Sequence, residues 1–265
     1  MLKTLRQLIK YLSYYRKSTT KHGVHSPFVY EFITKVLEDK TKYVAYTRVE
    51  EQRQRLLKNK NVVEIVDFGA PSGKAGYQTY LAKVQDIAKR SSISPAQGQL
   101  LYRIVKYVKP EIMLEMGTSL GISSIYQVSG STDSFFIGIE GCATTAAIAE
   151  QSLKKFSEGQ NYSLIIGNFD IMLPGVLEKL NKIDFVFIDG NHAYKPVMRY
   201  FSQLLPFMHE ASVIVFHDIY WSAEMEEAWS EIKQNPAVTI SIDLFHMGLV
   251  FFRTGMPKQD FIIRF

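Results

Sequence analysis

The sequence predicts an α/β fold built on a largely parallel sheet. Two observations lead to this class. Five short apolar segments recur from residue 112 onward, and each one ends in polar or charged residues. The stretches between the segments have about the length of a helical connection between parallel strands, roughly a dozen residues or more. The five predicted strands are 112–114, 135–140, 163–166, 183–188 and 211–216.

The part of the chain before these strands predicts helices. Leu5, Leu8 and Leu12 fall on one helical face with Leu2 and Ile9, and lysine and arginine residues interleave with them. We expect this apolar face to pack on the domain, and contact with an anionic membrane surface or nucleic acid is the alternative. Residues 1–60 carry the basic character, because they hold 14 Lys and Arg against 5 Asp and Glu.

Boundary signals divide this front part of the chain. Ser26 followed by Pro27 predicts the N-cap and first position of a second helix. Residues 67–76 are rich in turn formers and predict a linker. Ser94 and Gln97 form a capping-box pattern, which predicts a helix leading up to the first strand. We therefore expect a helical accessory region at 1–66, a linker at 67–94, and the main domain at 95–265.

The first strand continues directly into a turn that contains two glycines. Gly117 and Gly121 stand where the chain bends sharply, and a helix follows with free N–H groups at its start. The G-x-G-x-x-G spacing of a dinucleotide site is absent. Glu115, two residues before the first glycine, instead favours a positively charged ligand. The turn predicts a ligand site, and a plain packing turn is the alternative.

The other four strands also end in polar side chains. In an open parallel sheet, ligands lie across the carboxyl ends of the strands, so we expect these side chains to line one site. Asn168 offers a side-chain amide for the edge of a base. The residues at these strand ends are, in chain order, Glu140, Asn168, Phe169, Asp189, His192, His217 and Asp218.

This succession of strand-end residues resembles the class I S-adenosylmethionine-dependent methyltransferases. The resemblance covers about residues 95–253 and rests on the acid-x-Gly pattern, the Glu after strand two, Gly-Asn-Phe-Asp after strand three and the Asp after strand four. The run at 189–194, with His217 and Asp218, is similar to bacterial small-molecule O-methyltransferases related to macrocin and catechol methyltransferases. The resemblance implies a Rossmann-like, doubly wound, seven-stranded sheet of order 3-2-1-4-5-7-6 with S-adenosylmethionine as methyl donor. It also implies that the linker at 67–94 forms part of a lid, and an inert connector is the alternative.

The resemblance also implies a set of cofactor contacts. Glu140 would accept hydrogen bonds from both ribose hydroxyls, and Glu115 would lie near the positive end of the cofactor. The residues expected to bind the cofactor are Glu115, Gly117, Thr118, Ser119, Gly121, Glu140, Asn168, Phe169 and Asp189.

Two ways of activating an acceptor hydroxyl remain open. Asp189, His217 and Asp218 at adjacent strand ends would converge on a divalent cation, Mg²⁺ or Mn²⁺. Catechol-type enzymes carry Asn where this chain has Ile219, and that departure counts against the metal. Alternatively His192, in the place of the lysine base of those enzymes, would act as general base together with Asp189, because imidazole titrates near neutral pH.

Composition narrows the class of protein. A chain of 265 residues with 46% hydrophobic content can bury a large core. The single Cys142 excludes an internal disulfide and fits a reducing compartment. No apolar run approaches the ~18 residues that a membrane span requires. We expect a cytoplasmic bacterial enzyme with a small-molecule acceptor and no nucleic-acid partner, either alone or as a homo-oligomer.

Three function classes stay open. A small-molecule O-methyltransferase leads. A nucleic-acid methyltransferase is favoured by the basic front of the chain, but the Asn/Asp-Pro-Pro-Tyr motif is absent, since Asn235-Pro236 is followed by Ala237. A cofactor-binding module without catalysis is the third class, and it predicts a site that lacks a base.

Overall fold

The computed structural model of the protein describes residues 2–68, 76–157, 159 and 161–265, with residues 2–4 described by their backbone only. The α-helices of the described residues are α1 Leu2–Lys17, α2 Pro27–Phe32, α3 Val44–Lys58, α4 Val84–Ser91, α5 Pro95–Val108, α6 Ile122–Gly130, α7 Ala143–Phe156, α8 Phe169–Leu177, α9 Tyr194–Leu204 and α10 Ala223–Gln234. The strands are β1 Val62–Asp67, β2 Gln78–Lys83, β3 Ile112–Met116, β4 Phe135–Glu140, β5 Tyr162–Ile166, β6 Phe185–Ile188, β7 Val213–His217, β8 Ile240–Asp243, β9 Met247–Phe251 and β10 Gln259–Ile262.

Two compact units divide the chain. The central unit holds residues 39–180, and the terminal unit combines residues 1–38 with residues 181–265. The boundaries at 66 and 94 that the sequence suggested remain predictions. None of the helices among the described residues has both the length and the apolar character to cross a bilayer.

The central unit contains three parallel strands, with β4 paired to both β3 and β5. The residues of β3 from Met113 onward are all buried, and β4 is buried except at its two ends. The edge strand β5 is only partly buried. Ser94 caps α5 as predicted: its Oγ accepts from the Gln97 N–H at 3.4 Å, and the Gln97 side chain accepts from the Ser94 N–H at 3.1 Å. These elements place the carboxyl ends of β3, β4 and β5 at one edge.

Regular structure occupies part of the predicted linker. β1 and β2 pair as an antiparallel hairpin with Val62 opposite Lys83 and Asp67 opposite Gln78, and α4 follows β2 directly. Residues 69–75, the centre of the predicted linker and lid, lie outside the described residues. The lid function remains a prediction.

The terminal unit contains the remaining five strands. β6 and β7 are parallel, β9 runs antiparallel to both β7 and β8, and β10 is parallel to β8. The strand order of the large sheet is β10-β8-β9-β7-β6-β3-β4-β5. The predicted α/β class with a mostly parallel sheet is confirmed, and the strand count is eight rather than seven because β10 adds an edge strand.

The front of the chain completes the core of the terminal unit. Ser26 Oγ caps α2, and α2 buries Phe28 and Phe32 against Phe251, with ring centroids 5.0 Å and 5.6 Å apart. The chain then continues as a single π-helical turn over Ile33–Leu37, whose apolar side chains are buried. These contacts explain why the residues around Ser26 and Pro27 form a helix here, since their apolar face is covered.

The face of α1 that packs on the terminal unit is not the predicted one. Leu5, Leu8, Ile9 and Leu12 are between 53% and 59% exposed, so the expectation that this stripe packs on the domain is wrong. The opposite face, centred on the buried Tyr14, makes the contacts. A helix face made of aromatic and polar side chains can be buried when its polar atoms find hydrogen-bond partners. The spacing of the leucines therefore does not identify the buried face of α1.

Replacing Phe32 with alanine should lower the free energy of unfolding by about 3–5 kcal/mol, because a fully buried aromatic ring leaves a cavity in a packed core. Leu12→Ala, on the exposed face of α1, is the matched control and should change stability by no more than about 0.5 kcal/mol. Urea unfolding followed by circular dichroism measures both. Equal losses for the two variants would contradict the assignment of the packed face.

Candidate functional site

The glycine turn between β3 and α6 has the bent backbone that the sequence predicts. Gly117 and Gly121 have φ values of 102° and 83°, a region in which residues with a Cβ are strained. The Gly117 N–H donates to the Ile139 carbonyl at 2.9 Å, which ties the turn to β4. A Cβ added at Gly121 would lie 3.0 Å from the Ala149 Cα, so the turn also lies close against α7.

Glu115 lies on β3 and is fully buried. Its carboxylate accepts a hydrogen bond from the Ser124 hydroxyl and one from Gln127 Nε2 at 2.7 Å, and both donors lie on α6. The carboxylate therefore connects the strand to the helix that follows the turn. This geometry supports a role in positioning the turn, and the expected contact of Glu115 with the cofactor stays a prediction.

Glu140, at the end of β4, holds the glycine turn from the other side. Its Oε2 accepts from the Ser119 N–H at 2.7 Å, and its Oε1 accepts from the Cys142 N–H at 2.9 Å and the Thr145 hydroxyl at 3.1 Å. Burial raises the pKa of this carboxyl above its usual value, and the two backbone N–H groups oppose that rise. The side chain is partly exposed, so it also faces outward from the strand edge.

Two further residues of the predicted site, Asn168 and Thr118, also follow strands of the central unit. Asn168 caps α8, with its Oδ1 accepting from the Asp170 N–H at 2.8 Å, and the Gly167 N–H donates to the Glu140 carbonyl at 2.9 Å. Thr118 is buried, and its Oγ1 has no hydrogen-bond partner among the residues that the structure describes. The structure thus brings the turn, Glu140 and Asn168 together at one edge of the central unit.

A second group of predicted residues lies at the strand ends of the terminal unit. Asp189 follows β6, and its Oδ1 lies 2.9 Å from Nδ1 of His217, the last residue of β7. Burial lowers the pKa of His217, but the neighbouring Asp189 carboxylate more than offsets this and raises that pKa to about 9. For Asp189, burial raises the pKa, and the charge of His217 outweighs it, so the pKa is lowered. The two side chains form an imidazolium–carboxylate pair at neutral pH.

The metal site expected at Asp189, His217 and Asp218 stays a prediction. Within the described part of the chain, no group of three or more His, Cys, Asp and Glu side chains is arranged to hold a metal ion. The physical reason is that Asp189 and His217 bind each other, while Asp218 Oδ2 lies 3.7 Å from the same Nδ1. A cation bound here would have to displace the proton of the His217 imidazole and open its hydrogen bond with Asp189.

His192 lies in the turn that follows Asp189. Its Nε2 is 3.7 Å from Asp189 Oδ1, beyond hydrogen-bond distance, and its side chain is partly exposed. The Trp221 ring lies at a centroid distance of 6.5 Å, and the Ser222 hydroxyl donates to the His192 carbonyl at 3.3 Å. The imidazole is therefore close to a carboxylate and accessible to a ligand, as a general base must be.

The sequence reasoning missed several polar residues that support these sites. Ser124 and Gln127 hold Glu115, and a glutamine inside the otherwise apolar segment of α6 was the available signal. Near Asp218, the Tyr220 hydroxyl donates to Asp243 Oδ2 at 2.6 Å, and Asp243 is an acid at the end of a buried strand. These residues hold other residues of the site in place, and their partners can be identified only from the three-dimensional structure.

Comparisons with known proteins agree with this geometry. Residues 114–219 match a family described as a methyltransferase domain. A curated relative, the transmembrane O-methyltransferase homolog of Mus musculus, is 30% identical over 144 residues, which are 49% of this chain and 52% of the relative. Its Rattus norvegicus counterpart matches to the same extent. The chain thus spans about half the length of the curated relatives it matches.

Solved structures share the fold. An O-methyltransferase from Bacillus cereus in complex with SAH has a TM-score of 0.55 at 17% identity, covering 84% of this chain and 97% of that one. The O-methyltransferase TomG from Streptomyces achromogenes in complex with SAM has a TM-score of 0.56 at 18% identity, covering 85% and 95%. Identities this low show the fold alone. Residues 114–219 thus match the family described as a methyltransferase domain, and the chain shares its fold with these O-methyltransferase structures.

Proposed function

We propose that the protein is an S-adenosylmethionine-dependent methyltransferase that methylates a hydroxyl group of a small molecule. The proposal rests mainly on the position and the contacts of the Glu140 carboxylate. It stands at the end of β4 as a partly exposed carboxylate and holds the Ser119 N–H of the glycine turn at 2.7 Å. The printed descriptions of two structural neighbours, which contain SAH and SAM, support the choice of cofactor.

The residues of the central unit fit this cofactor. Glu140 accepts three hydrogen bonds from the protein, and an ionised carboxylate has about four lone-pair sites, so about one site remains for a ribose hydroxyl. The turn at Gly117, Thr118, Ser119 and Gly121 lets a ligand approach the backbone closely. Asn168 and Phe169 at the start of α8 would contact the base of the cofactor. Glu115 would hold the glycine turn in place.

The chemistry proposed for the terminal unit is proton removal from the acceptor. When bound, S-adenosylmethionine supplies an electrophilic methyl group on its sulfonium. His192 would take the proton of the acceptor hydroxyl, and Asp189, 3.7 Å from His192 Nε2, would stabilise the resulting imidazolium. The hydrogen bond between Asp189 and His217 fixes the Asp189 carboxylate in an orientation that can stabilise the imidazolium of His192. No step of this proposal uses a metal.

A thermal-shift screen tests the cofactor assignment. We expect S-adenosylhomocysteine to stabilise the protein, because a ligand that binds only the folded state at 100 times its Kd adds about 2.7 kcal/mol. S-adenosylmethionine should stabilise as well, NAD should not, and Mg²⁺ should leave each result unchanged. Stabilisation by NAD without any by S-adenosylhomocysteine would refute the cofactor assignment.

A turnover assay tests the reaction itself. The protein would be incubated with S-adenosylmethionine and a panel of small hydroxylated acceptors, and the release of S-adenosylhomocysteine measured. Cofactor binding without turnover of any hydroxyl acceptor would favour the cofactor-binding module over the O-methyltransferase. The cellular setting that we propose is the cytoplasm of a bacterium, which fits a buried free thiol at Cys142.

A further inference from the structure

Helix α1 presents an apolar stripe to solvent. Leu5, Leu8, Ile9 and Leu12 follow one another at helical spacing, and each is more than half exposed. Tyr15 continues the stripe by one turn and is also exposed. Single exposed apolar residues are ordinary on a protein surface, whereas a contiguous stripe along one helix marks an interaction site.

The helix that carries this stripe is firmly attached through its other face. The Tyr14 hydroxyl donates to the Ile263 carbonyl, and the Tyr11 ring packs edge-on against Phe245 at 5.1 Å. Gln7 Nε2 donates to the Tyr220 carbonyl at 2.8 Å, and Lys10 forms an ion pair with Glu226. The terminal unit therefore holds α1 with its apolar stripe facing outward, and no rotation of the helix can bury the stripe without breaking these contacts.

The charges on α1 indicate what covers the stripe. The helix contains five lysine and arginine residues and no acidic residue. Arg6, Arg16 and Lys17 are exposed. A second copy of the chain seated on this face by two-fold symmetry would bring these cations against their own equivalents, which is unfavourable. An anionic surface instead complements them.

We propose that α1 docks the protein on the surface of an anionic lipid bilayer. The helix lies in the plane of the interface, with the stripe of Leu5, Leu8, Ile9 and Leu12 at the boundary between headgroups and acyl chains. Arg6, Arg16 and Lys17 lie at the level of the headgroup phosphates and bind them. This surface site is separate from the proposed cofactor and acceptor chemistry, so its failure leaves the methyltransferase assignment untouched.

Vesicle co-sedimentation of the full-length protein tests this proposal. The probes are vesicles of phosphatidylcholine alone and vesicles of phosphatidylcholine mixed with phosphatidylglycerol. Wild type should sediment with the anionic vesicles and not with the neutral ones. Added salt should weaken the binding, because it screens the charges. Arg6→Gln/Arg16→Gln/Lys17→Gln should weaken it by about fivefold for each charge removed. Leu5→Ala/Ile9→Ala/Leu12→Ala should abolish most of the binding that remains at high salt.

Matched controls use exposed residues of the central unit. Leu81→Ala/Ile171→Ala removes two exposed aliphatic side chains, and Lys89→Gln/Arg90→Gln removes two exposed charges. Both should bind anionic vesicles like wild type. All variants should keep the wild-type Tm and its rise with S-adenosylhomocysteine, because the changed side chains are exposed.

Two results would overturn the proposal. One is failure of wild type to bind anionic vesicles, or equal binding by the stripe variant. The other is a wild-type dimer, measured by light scattering, that the stripe variant converts to a monomer while neither binds vesicles. That second outcome would assign the stripe to a second copy of the chain.

Discussion

Replacing His192 with alanine should lower kcat for a methylated acceptor by about 10²–10⁴, the usual contribution of a positioned general base. The imidazole is partly exposed and lies 3.7 Å from the Asp189 carboxylate, so its removal takes away the proposed proton acceptor without opening the core. The affinity for S-adenosylhomocysteine should stay unchanged, because the expected cofactor contacts of the glycine turn, Glu140 and Asn168 are intact. Steady-state kinetics and titration calorimetry measure the two quantities.

The matched control is His22→Ala, an exposed histidine of the same unit. It should leave kcat at the wild-type value. EDTA should also leave wild-type turnover unchanged, because in this proposal His192 rather than a cation removes the proton of the acceptor. If EDTA abolished turnover and Mg²⁺ restored it, the result would support the metal hypothesis. A fully active His192→Ala enzyme would leave proximity to the methyl group as the main source of rate.

Replacing Glu140 with alanine should weaken binding of S-adenosylhomocysteine by a factor of about 10–10². A hydrogen bond to a charged group contributes about 1.5–3 kcal/mol, and the substitution removes one such bond to ribose. It also removes the acceptor of the Ser119 and Cys142 N–H groups, so the glycine turn loses the carboxylate that holds it. Both effects act in the same direction, and calorimetry of the purified variant measures their sum.

Glu178→Ala provides the control, since Glu178 is an exposed acid at the end of α8 in the same unit. Its affinity should match wild type. Equal affinity of Glu140→Ala and wild type would show that the carboxylate only supports the turn, and the proposed ribose contact would be wrong. A modest rise in Kd for Glu140→Gln would separate the loss of charge from the loss of the side chain.

Local chemistry made much of the fold predictable. The capping pattern at Ser94 and Gln97 determines where α5 begins, because it satisfies N–H groups within one turn of the helix. The strand that ends at Glu140 has the predicted bounds, because its run of apolar residues is bounded by polar ones. The glycine turn was predictable for the same reason, since the positive φ values at Gly117 and Gly121 favour residues without a side chain.

Features that depend on distant partners were not predictable in the same way. The leucine periodicity of α1 correctly indicates a helix with an apolar face, but it does not say whether the protein or another surface covers that face. The pairing of Asp189 with His217 depends on how two adjacent strand ends orient their side chains. The burial of Glu115 under α6 likewise depends on Ser124 and Gln127, whose roles appear only when the helix is placed.

The isolated bridge between Thr19 and Ile263 has a consequence for synthesis on the ribosome. The Thr19 N–H donates to the Ile262 carbonyl at 2.8 Å, and the Arg264 N–H donates to the Thr19 carbonyl at 2.9 Å. These partners lie far apart in the chain, so α1 and α2 leave the ribosome well before their docking partners. The nascent chain must therefore carry Phe28 and Phe32 of α2 without cover until Phe251 has emerged.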